Sequence, residues 1–152
     1  MNIQSSYLHE AFDPNKLRVL ITRVSVLLKA GDIDYDAIAF RGTSGAALAF
    51  PLSVRLRKPL IHVRKCLGHT RMIVEGDYGA KRYIIVDDFM DTGRTLRTIK
   101  KRINEAYSRS RLDEPTCVAV VLYVPSREYG FEEKQALIHN IFEQAQLICA
   151  GD

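Results

Sequence analysis

The apolar run 117-CVAVVLYV-124 limits the fold more than any other stretch of this sequence. A strand with one face in water alternates apolar and polar residues, whereas this run has no charged residue and is rich in β-branched valine. Such a strand is buried on both faces, which is the usual situation in a parallel sheet covered by helices. We therefore expect an α/β protein.

Strand-like and helix-like segments alternate along the rest of the chain. Further apolar segments predict strands at 35–40, 60–63, 83–86 and 145–149. Helical spacing, or a stretch of small apolar residues, predicts helices at 14–30, 46–56, 93–108 and 131–140. This order predicts a single domain over residues 1–152, with an α/β fold and a mainly parallel five-stranded sheet flanked by helices.

Two segments have features that could interrupt this pattern. Pro51 lies inside the segment 46–56, where we expect it to kink or interrupt the helix. The segment 64–82 has three glycines, mixed charge and no sustained period. It is too long for an ordinary connection, so it forms either a mobile functional loop or a hairpin arm.

Composition narrows the class of protein. The chain has 152 residues and a formal charge of +4, which favours anionic ligands but is too small to indicate nucleic-acid binding. Cys66, Cys117 and Cys149 are far apart and lack metal-ligand spacing, so we expect neither zinc nor a disulfide framework. No signal peptide or membrane-spanning run is visible, and we expect a cytoplasmic protein.

The segment 83-YIIVDDFMDTGRT-95 carries the clearest chemistry. Asp87 and Asp88 follow a buried strand, where two adjacent carboxylates repel each other and lose hydration unless a cation or a hydroxyl group meets them. A vicinal diol or a metal-bound sugar is a suitable partner. In an α/β sheet, ligands bind at the carboxyl ends of strands, which is where these two acids stand.

A turn rich in hydroxyl groups follows the acids and directly precedes a helix. Exposed amides at the helix start, two threonine hydroxyls and a glycine that lets the backbone approach make a phosphate cradle. The turn consists of Asp91, Thr92, Gly93, Arg94 and Thr95. Carboxylates for a diol beside a cradle for one phosphate indicate a ribose 5-phosphate.

The segment 84-IIVDDFMDTGRT-95 resembles the phosphoribosyl-diphosphate (PRPP) signature of type I phosphoribosyltransferases. The resemblance implies that family's fold with a small hood region. It also implies Mg²⁺-dependent transfer of 5-phosphoribose from PRPP to a nucleobase, with release of pyrophosphate, in nucleotide salvage or synthesis. In family terms Asp87 and Asp88 bind the ribose hydroxyls and Mg²⁺, and the turn 91–95 binds the 5-phosphate. Family members are commonly dimers, which implies a homodimer here.

The resemblance extends to two further segments. In 41-RGTSG-45 it implies that Arg41 and Gly42 hold the pyrophosphate, often across a cis peptide that would here be Arg41–Gly42. The segment 64–82 corresponds to the flexible catalytic loop, which excludes water from the reacting centre. The residues of this loop expected to meet pyrophosphate are Arg64, Lys65 and His69. Lys65 is also expected to be catalytic.

The acceptor base stays open at this point. Asp91 stands where 6-oxopurine enzymes of the family carry the acid that handles the purine N7 proton, which gives Asp91 a catalytic role. The lysine that those enzymes place after the fourth strand has no counterpart here, although Arg127 could substitute, and the loop 64–82 resembles orotate enzymes. Tyr129 and Phe131 could stack on the base or close a small core. Taken together, these features favour a purine over orotate as the acceptor base.

A second function class is a catalytically inactive member of the same fold that senses a nucleotide and regulates RNA or another protein. The mildly basic charge favours it. The complete acid pair and the retained Arg64–Lys65 pair oppose it, because a sensor has no need of pyrophosphate ligands. A hydrolase is disfavoured, since no serine or cysteine sits in an elbow motif with a histidine partner.

Overall fold

Six strands form one sheet in the computed structural model, which describes residues 2–4, 8–124 and 130–151. The strands are β1 (Ala37–Phe40), β2 (Leu60–Val63), β3 (Val74–Gly76), β4 (Arg82–Asp87), β5 (Thr116–Leu122) and β6 (Gln146–Cys149). They lie in the order β3-β2-β1-β4-β5-β6, and every neighbouring pair is parallel except β2 and β3. The expected α/β architecture with a mainly parallel sheet is confirmed, and β3 is one strand more than the sequence predicted.

Helices cover both faces of this sheet. The described residues form α1 (His9–Phe12), α2 (Pro14–Ala30), α3 (Gly42–Leu56), α4 (Arg94–Arg109) and α5 (Phe131–Ile141). The side chains of α1 to α3 pack on one face, and those of α4 and α5 pack on the other. In β5, Ala119 and Val121 belong to the hydrophobic core under α1 to α3, whereas Val120 and Leu122 belong to the core under α4 and α5. Both faces of β5 are therefore buried, which explains why the run has no polar face. Within the described part of the chain, no helix is long and apolar enough to cross a membrane.

Helix α2 begins and ends where the sequence predicted. The side chain of Asp13 accepts hydrogen bonds from the backbone amides of Asn15 (2.9 Å) and Lys16 (3.3 Å), and Pro14 occupies the first helical position. At the other end, the amide of Gly31 donates to a backbone carbonyl of the last turn. Both ends therefore follow from local sequence alone.

Helix α3 differs from the expectation at two points. It begins at Gly42, about one turn earlier than predicted, so the segment 41–45 is the N-cap and first turn of a helix rather than a separate loop. It also continues through Pro51 without interruption. Buried Leu48 and Leu52 hold the helix on the sheet on both sides of the proline, and this packing outweighs the hydrogen bond that proline cannot donate.

The segment 64–82 contains a hairpin arm, which is one of the two alternatives that the sequence left open. The chain turns back so that β3 pairs antiparallel with β2, with Val63 opposite Val74. The amide of Arg64 donates to the carbonyl oxygen of Ile73 (2.8 Å) and closes the base of the loop between them. A strand this short that ends in glycine shows no alternation, so the sequence pattern did not predict it.

The first turn of α3 packs directly on the end of β4 at Gly45. A Cβ atom at this position would lie 2.9 Å from the carbonyl oxygen of Val86 and 3.0 Å from Cβ of Phe40. Val86 and Phe40 are themselves buried and cannot move away, so glycine alone allows this approach. The contact brings Ser44 next to the acids that follow Val86.

We predict that Gly45→Ala lowers the free energy of unfolding by about 1–3 kcal/mol, because the added methyl group overpacks a rigid contact. Urea denaturation followed by circular dichroism measures the change. Gly79→Ala is the matched control, since its Cβ would meet the flexible tip of the Asp77 side chain at 3.1 Å. Equal losses of stability in the two variants would contradict the close approach at Gly45.

Candidate functional site

A cleft of about 270 Å³ opens at the carboxyl edge of the sheet. It lies between the neighbouring strands β1 and β4. The chain continues from β1 to β2 on one side and from β4 to β5 on the other, and such topological switch points are the usual ligand sites of α/β folds. The lining residues are Arg41, Ser44, Lys65, Asp87, Asp88, Phe89, Met90, Asp91, Thr92, Gly93, Arg94, Thr95 and Leu96. They come from the start of α3, the loop after β2 and the whole turn between β4 and α4.

The two adjacent carboxyl groups of the cleft are both buried, with 5% of Asp87 and 6% of Asp88 exposed. Oδ1 of Asp87 accepts hydrogen bonds from the hydroxyl of Ser44 (3.0 Å) and from the backbone amide of Asp88 (3.0 Å). Burial, together with the neighbouring Asp88 carboxyl group, raises the pKa of Asp87 to about 7. The pair therefore retains a proton close to neutral pH and is suited to exchange it for a cation or to bind hydroxyl groups.

The turn before α4 has the form of an anion-binding site. Gly93 is the N-cap residue, with φ 74° and ψ 9°, a left-handed conformation that favours glycine. The guanidinium of Arg97 holds the turn by donating to the carbonyl oxygen of Thr92 (2.7 Å). No acidic residue lies in the first turn of α4. The free backbone amides and the positive end of this helix are therefore available to an anion that binds beside Thr95.

A second helix start contributes to the same cleft. Arg41 is the N-cap residue of α3, and no acidic residue lies in the first turn. The Nε atom of Arg41 is buried without a hydrogen-bond partner among the described residues. The side chain of Lys65 lies against Gly42, where a Cβ atom would come within 2.6 Å of the lysine Cε. Two cationic side chains at a positive helix end form a place for a second anion.

Most of the residues that the sequence singled out come together in this cleft. Those that line it are Arg41, Lys65, Asp87, Asp88, Asp91, Thr92, Gly93, Arg94 and Thr95. Gly42 and Arg64 instead line a neighbouring cavity that shares Lys65 with the cleft, and Arg64 pairs with Glu75 (Nη1–Oε2 3.1 Å). His69 is exposed and is not part of the cleft lining. The pyrophosphate contacts of Gly42, Arg64 and His69 stay predictions.

Three other expectations have different outcomes. The Arg41–Gly42 peptide is trans, as is every peptide bond among the described residues, so the expected cis bond is wrong. Phe131 is exposed at the first position of α5 and does not line the cleft. Tyr129 and Arg127 lie outside the described residues, so their proposed contacts with the base stay predictions.

Sequence reasoning missed Ser44 and Phe89. The hydroxyl of Ser44 bonds to a carboxylate 43 positions away, and no local pattern identifies a partner at that distance. Phe89 follows the acids directly, lines the cleft and is 42% exposed, whereas the next residue, Met90, is buried in the core. An aromatic residue between the acids and the turn was a signal that could have been read as a surface for a planar ligand.

Comparison with curated proteins finds similar sequences, although no family model matches the chain. The chain is 33% identical over 109 residues to the orotate phosphoribosyltransferase of Sulfurisphaera tokodaii, which covers 70% of this chain and 51% of the relative. It is 26% identical over 143 residues to the orotate phosphoribosyltransferase of Pyrobaculum aerophilum, covering 90% of this chain and 69% of the relative. The chain thus spans about half the length of the first relative.

Solved structures share the fold. The orotate phosphoribosyltransferase from Aeropyrum pernix superposes with a TM-score of 0.68 at 18% identity, over 99% of this chain and 78% of that one. An adenine phosphoribosyltransferase superposes with a TM-score of 0.69 at 16% identity, over 94% of this chain and 84% of that one. The chain is thus similar to type I phosphoribosyltransferases in sequence and in fold.

This similarity confirms the resemblance that the sequence showed. The PRPP-signature segment 84–95 runs from the middle of β4 through the cleft to the start of α4. Orotate and adenine phosphoribosyltransferases match its fold at nearly equal TM-scores. The fold therefore does not distinguish an orotate-type relative from an adenine-type relative.

We predict that the contribution of Asp87 to the free energy of unfolding decreases as the pH rises from about 4 to about 7. The pKa of Asp87 is about 7 in the folded chain, against roughly 3.9 for an unfolded aspartate. Across this window the folded state keeps a proton that the unfolded state has released, so rising pH favours unfolding. Asp87→Asn removes this contribution and should gain stability relative to the wild type as the pH rises.

Urea denaturation of the wild type and of Asp87→Asn, from about pH 5 to about pH 8, measures the difference between them. Because both chains share every other titrating group, the comparison isolates Asp87. A difference in unfolding free energy that stays constant over the whole range would contradict the raised pKa.

Proposed function

We propose that the chain transfers the 5-phosphoribosyl group of PRPP to a nucleobase and releases pyrophosphate. One observation supports this most: two helix starts suited to anions share a cleft with a buried pair of carboxyl groups. PRPP carries a phosphate at one end, a diphosphate at the other and two ribose hydroxyls between them. Asp87 is hydrogen-bonded to the first turn of α3 and also precedes the turn that starts α4, so the acids stand between the two anion sites.

Each part of PRPP has a place in this arrangement. The 5-phosphate binds at the start of α4, where helix amides and hydroxyl groups meet it. The residues of that cradle are Asp91, Thr92, Gly93, Arg94 and Thr95. The diphosphate binds at the start of α3 beside Arg41 and Lys65, and the ribose hydroxyls donate to Asp87 and Asp88.

The residues present fit Mg²⁺ that arrives with the diphosphate. No group of three or more His, Cys, Asp or Glu residues forms a complete metal site in the part of the chain that the structure describes. Mg²⁺ in phosphate-binding sites commonly takes one or two carboxylates and completes its shell with substrate phosphates and water. Asp87 and Asp88 would hold it, and the ion would neutralise charge on the departing pyrophosphate.

Group transfer then needs positioning and charge stabilisation. A ring nitrogen of the base forms a bond to C1 of the ribose while the bond from C1 to the diphosphate oxygen breaks, and its electron pair leaves with pyrophosphate. Lys65 and Arg41 place positive charge at the leaving group before the bond breaks. Asp87 and Asp88 hold the sugar so that C1 faces the base, and no covalent intermediate with the protein is required.

We propose orotate as the first acceptor and a purine as the second. Both relatives described above are named orotate phosphoribosyltransferases, which favours a pyrimidine over the purine that the sequence pattern favoured. Asp91 lines the cleft, and this placement supports the purine alternative, in which its carboxylate handles the N7 proton. In either case Phe89 offers an aromatic surface to the planar base.

Three further proposals accompany this function. Residues 1–152 form a single domain, the protein is a homodimer, and it works in the cytoplasm. They follow from the family resemblance and the composition, and each is open to direct measurement, the homodimer by light scattering.

We predict that the protein releases pyrophosphate when it is incubated with PRPP, Mg²⁺ and at least one nucleobase. Orotate, uracil, adenine, guanine and hypoxanthine are tested in separate reactions.

Asp88→Asn should lower turnover roughly a hundredfold or more, because a charge aimed at the sugar is lost in a water-poor site. Asp113→Asn, an exposed site away from the cleft, is the matched control. Binding of PRPP or nucleotide without turnover of any base would overturn the transferase proposal and favour a nucleotide-sensing regulator.

We predict that Asp91→Ala separates the two acceptors. With a purine, turnover should fall about a hundredfold, because a general acid–base contributes at least that much. The Kd for PRPP should change by less than about threefold, because alanine keeps the backbone amide that Asp91 contributes to the phosphate cradle. With orotate, turnover should change little, because no N7 proton moves. Steady-state kinetics and calorimetry measure both quantities, and equal losses of PRPP binding and turnover would mark Asp91 as a structural turn residue.

A further inference from the structure

A buried tyrosine ties the end of β5 to the cleft. Tyr123 follows β5 directly, and its side chain is 0% exposed. Its hydroxyl group donates a hydrogen bond to the backbone carbonyl of Ser44 (2.6 Å) in the first turn of α3. Its backbone amide donates to the carbonyl oxygens of Asp87 (3.3 Å) and Asp88 (3.1 Å). Tyr123 thus bonds to both elements that surround the acid pair.

Ser44 carries this restraint to the carboxyl group of Asp87. The Ser44 hydroxyl donates to Oδ1 of Asp87 (3.0 Å), and the amide of Asp88 donates to the same oxygen (3.0 Å). With both donors on Oδ1, the carboxyl group is held in one rotation, and Oδ2 is the oxygen left for a ligand or for the Asp88 carboxyl group.

The backbone around Ser44 is restrained from two directions. On one side the Tyr123 hydroxyl holds its carbonyl oxygen. On the other side Gly45 packs so closely on Val86 that even a methyl group would lie 2.9 Å from the Val86 carbonyl oxygen. The serine hydroxyl therefore has little freedom to shift, and the Asp87 orientation is set by α3, β4 and β5 together.

We infer that Ser44 and Tyr123 are positioning residues that aim the Asp87 carboxyl group at the ribose hydroxyls and Mg²⁺ of PRPP. This inference rests on the proposed function of the cleft. Ser44 acts on Asp87 directly, and Tyr123 acts through Ser44. A carboxyl group that is already oriented when PRPP arrives does not have to be ordered by it, so affinity for PRPP is higher than the same group would provide if it were free to rotate.

Three variants test the inference: Ser44→Ala, Ser44→Thr and Tyr123→Phe. Calorimetry with Mg²⁺ and PRPP should show Ser44→Ala weakening the Kd about tenfold or more, the effect of losing one hydrogen bond to a charged group. Ser44→Thr keeps a hydroxyl group and should restore the Kd to within about threefold of the wild type. Tyr123→Phe should show a smaller loss than Ser44→Ala, because it acts one bond further from the carboxyl group. The KM for the acceptor base should stay unchanged in all three.

Ser53→Ala is the control for a purely structural effect. Ser53 lies in the same helix, and its hydroxyl donates to the Lys58 carbonyl (2.5 Å) outside the cleft. This variant should lower Tm without changing the Kd for Mg²⁺–PRPP. If Ser44→Ala binds as tightly as the wild type, or if Ser44→Thr binds as weakly as Ser44→Ala, the positioning role is wrong. If Ser44→Ala does not fold, the Tyr123→Phe variant tests the inference instead. An unchanged Kd for Mg²⁺–PRPP in Tyr123→Phe would reject a positioning role for the hydrogen bond from Tyr123 to Ser44.

The experiment separates this inference from the function on which it rests. A wild-type protein that binds no Mg²⁺–PRPP rejects the proposed function. In that case crystal structures of the wild type and Ser44→Ala still test the positioning role. Rotation of the Asp87 carboxyl group in the variant supports the restraint, and an unmoved carboxyl group overturns it.

Discussion

The burial of two adjacent carboxyl groups at the end of β4 is the constraint on which the rest of the site depends. Such a pair is unstable as two anions in a low-dielectric setting, and burial with mutual repulsion raises the pKa of Asp87 to about 7. The protein lowers the cost with a serine hydroxyl and a backbone amide rather than with a salt bridge. The pair therefore stays ready for a ligand that brings hydroxyl groups or a cation.

Topology explains why anion sites surround these acids. In a parallel sheet each crossover helix starts at the edge where the preceding strand ends, so positive helix ends and strand carboxyl ends lie at one edge. β1 and β4 are adjacent at the switch point of the sheet, and α3 and α4 follow them. Two positive helix ends therefore come close to one carboxyl pair. A ligand with an anionic group at each end and a diol between them matches this distribution of charge.

The sheet by itself does not distinguish between the two classes of phosphoribosyltransferase that share this fold. Orotate and adenine phosphoribosyltransferases share this fold with the chain at 18% and 16% identity, so the sheet tolerates both chemistries. Phe89 and Asp91 line the cleft, and in the sequence they lie between the acid pair and Gly93. Lys65, from the loop after β2, also lines the cleft, so a segment distant in the sequence joins the same site.

Local patterns in the sequence determined the fold class, the ends of α2 and the segment 84–95, because each depends on neighbours only a few residues apart. The tertiary structure alone decided three things: the early start of α3, the pairing of β3, and the contacts of Ser44 with Asp87 and Tyr123. Those contacts join positions 43 and 79 residues apart, and they exist because the strand order places β1, β4 and β5 side by side. A periodic pattern reports which face of an element is buried, but it carries no information about which distant element covers that face.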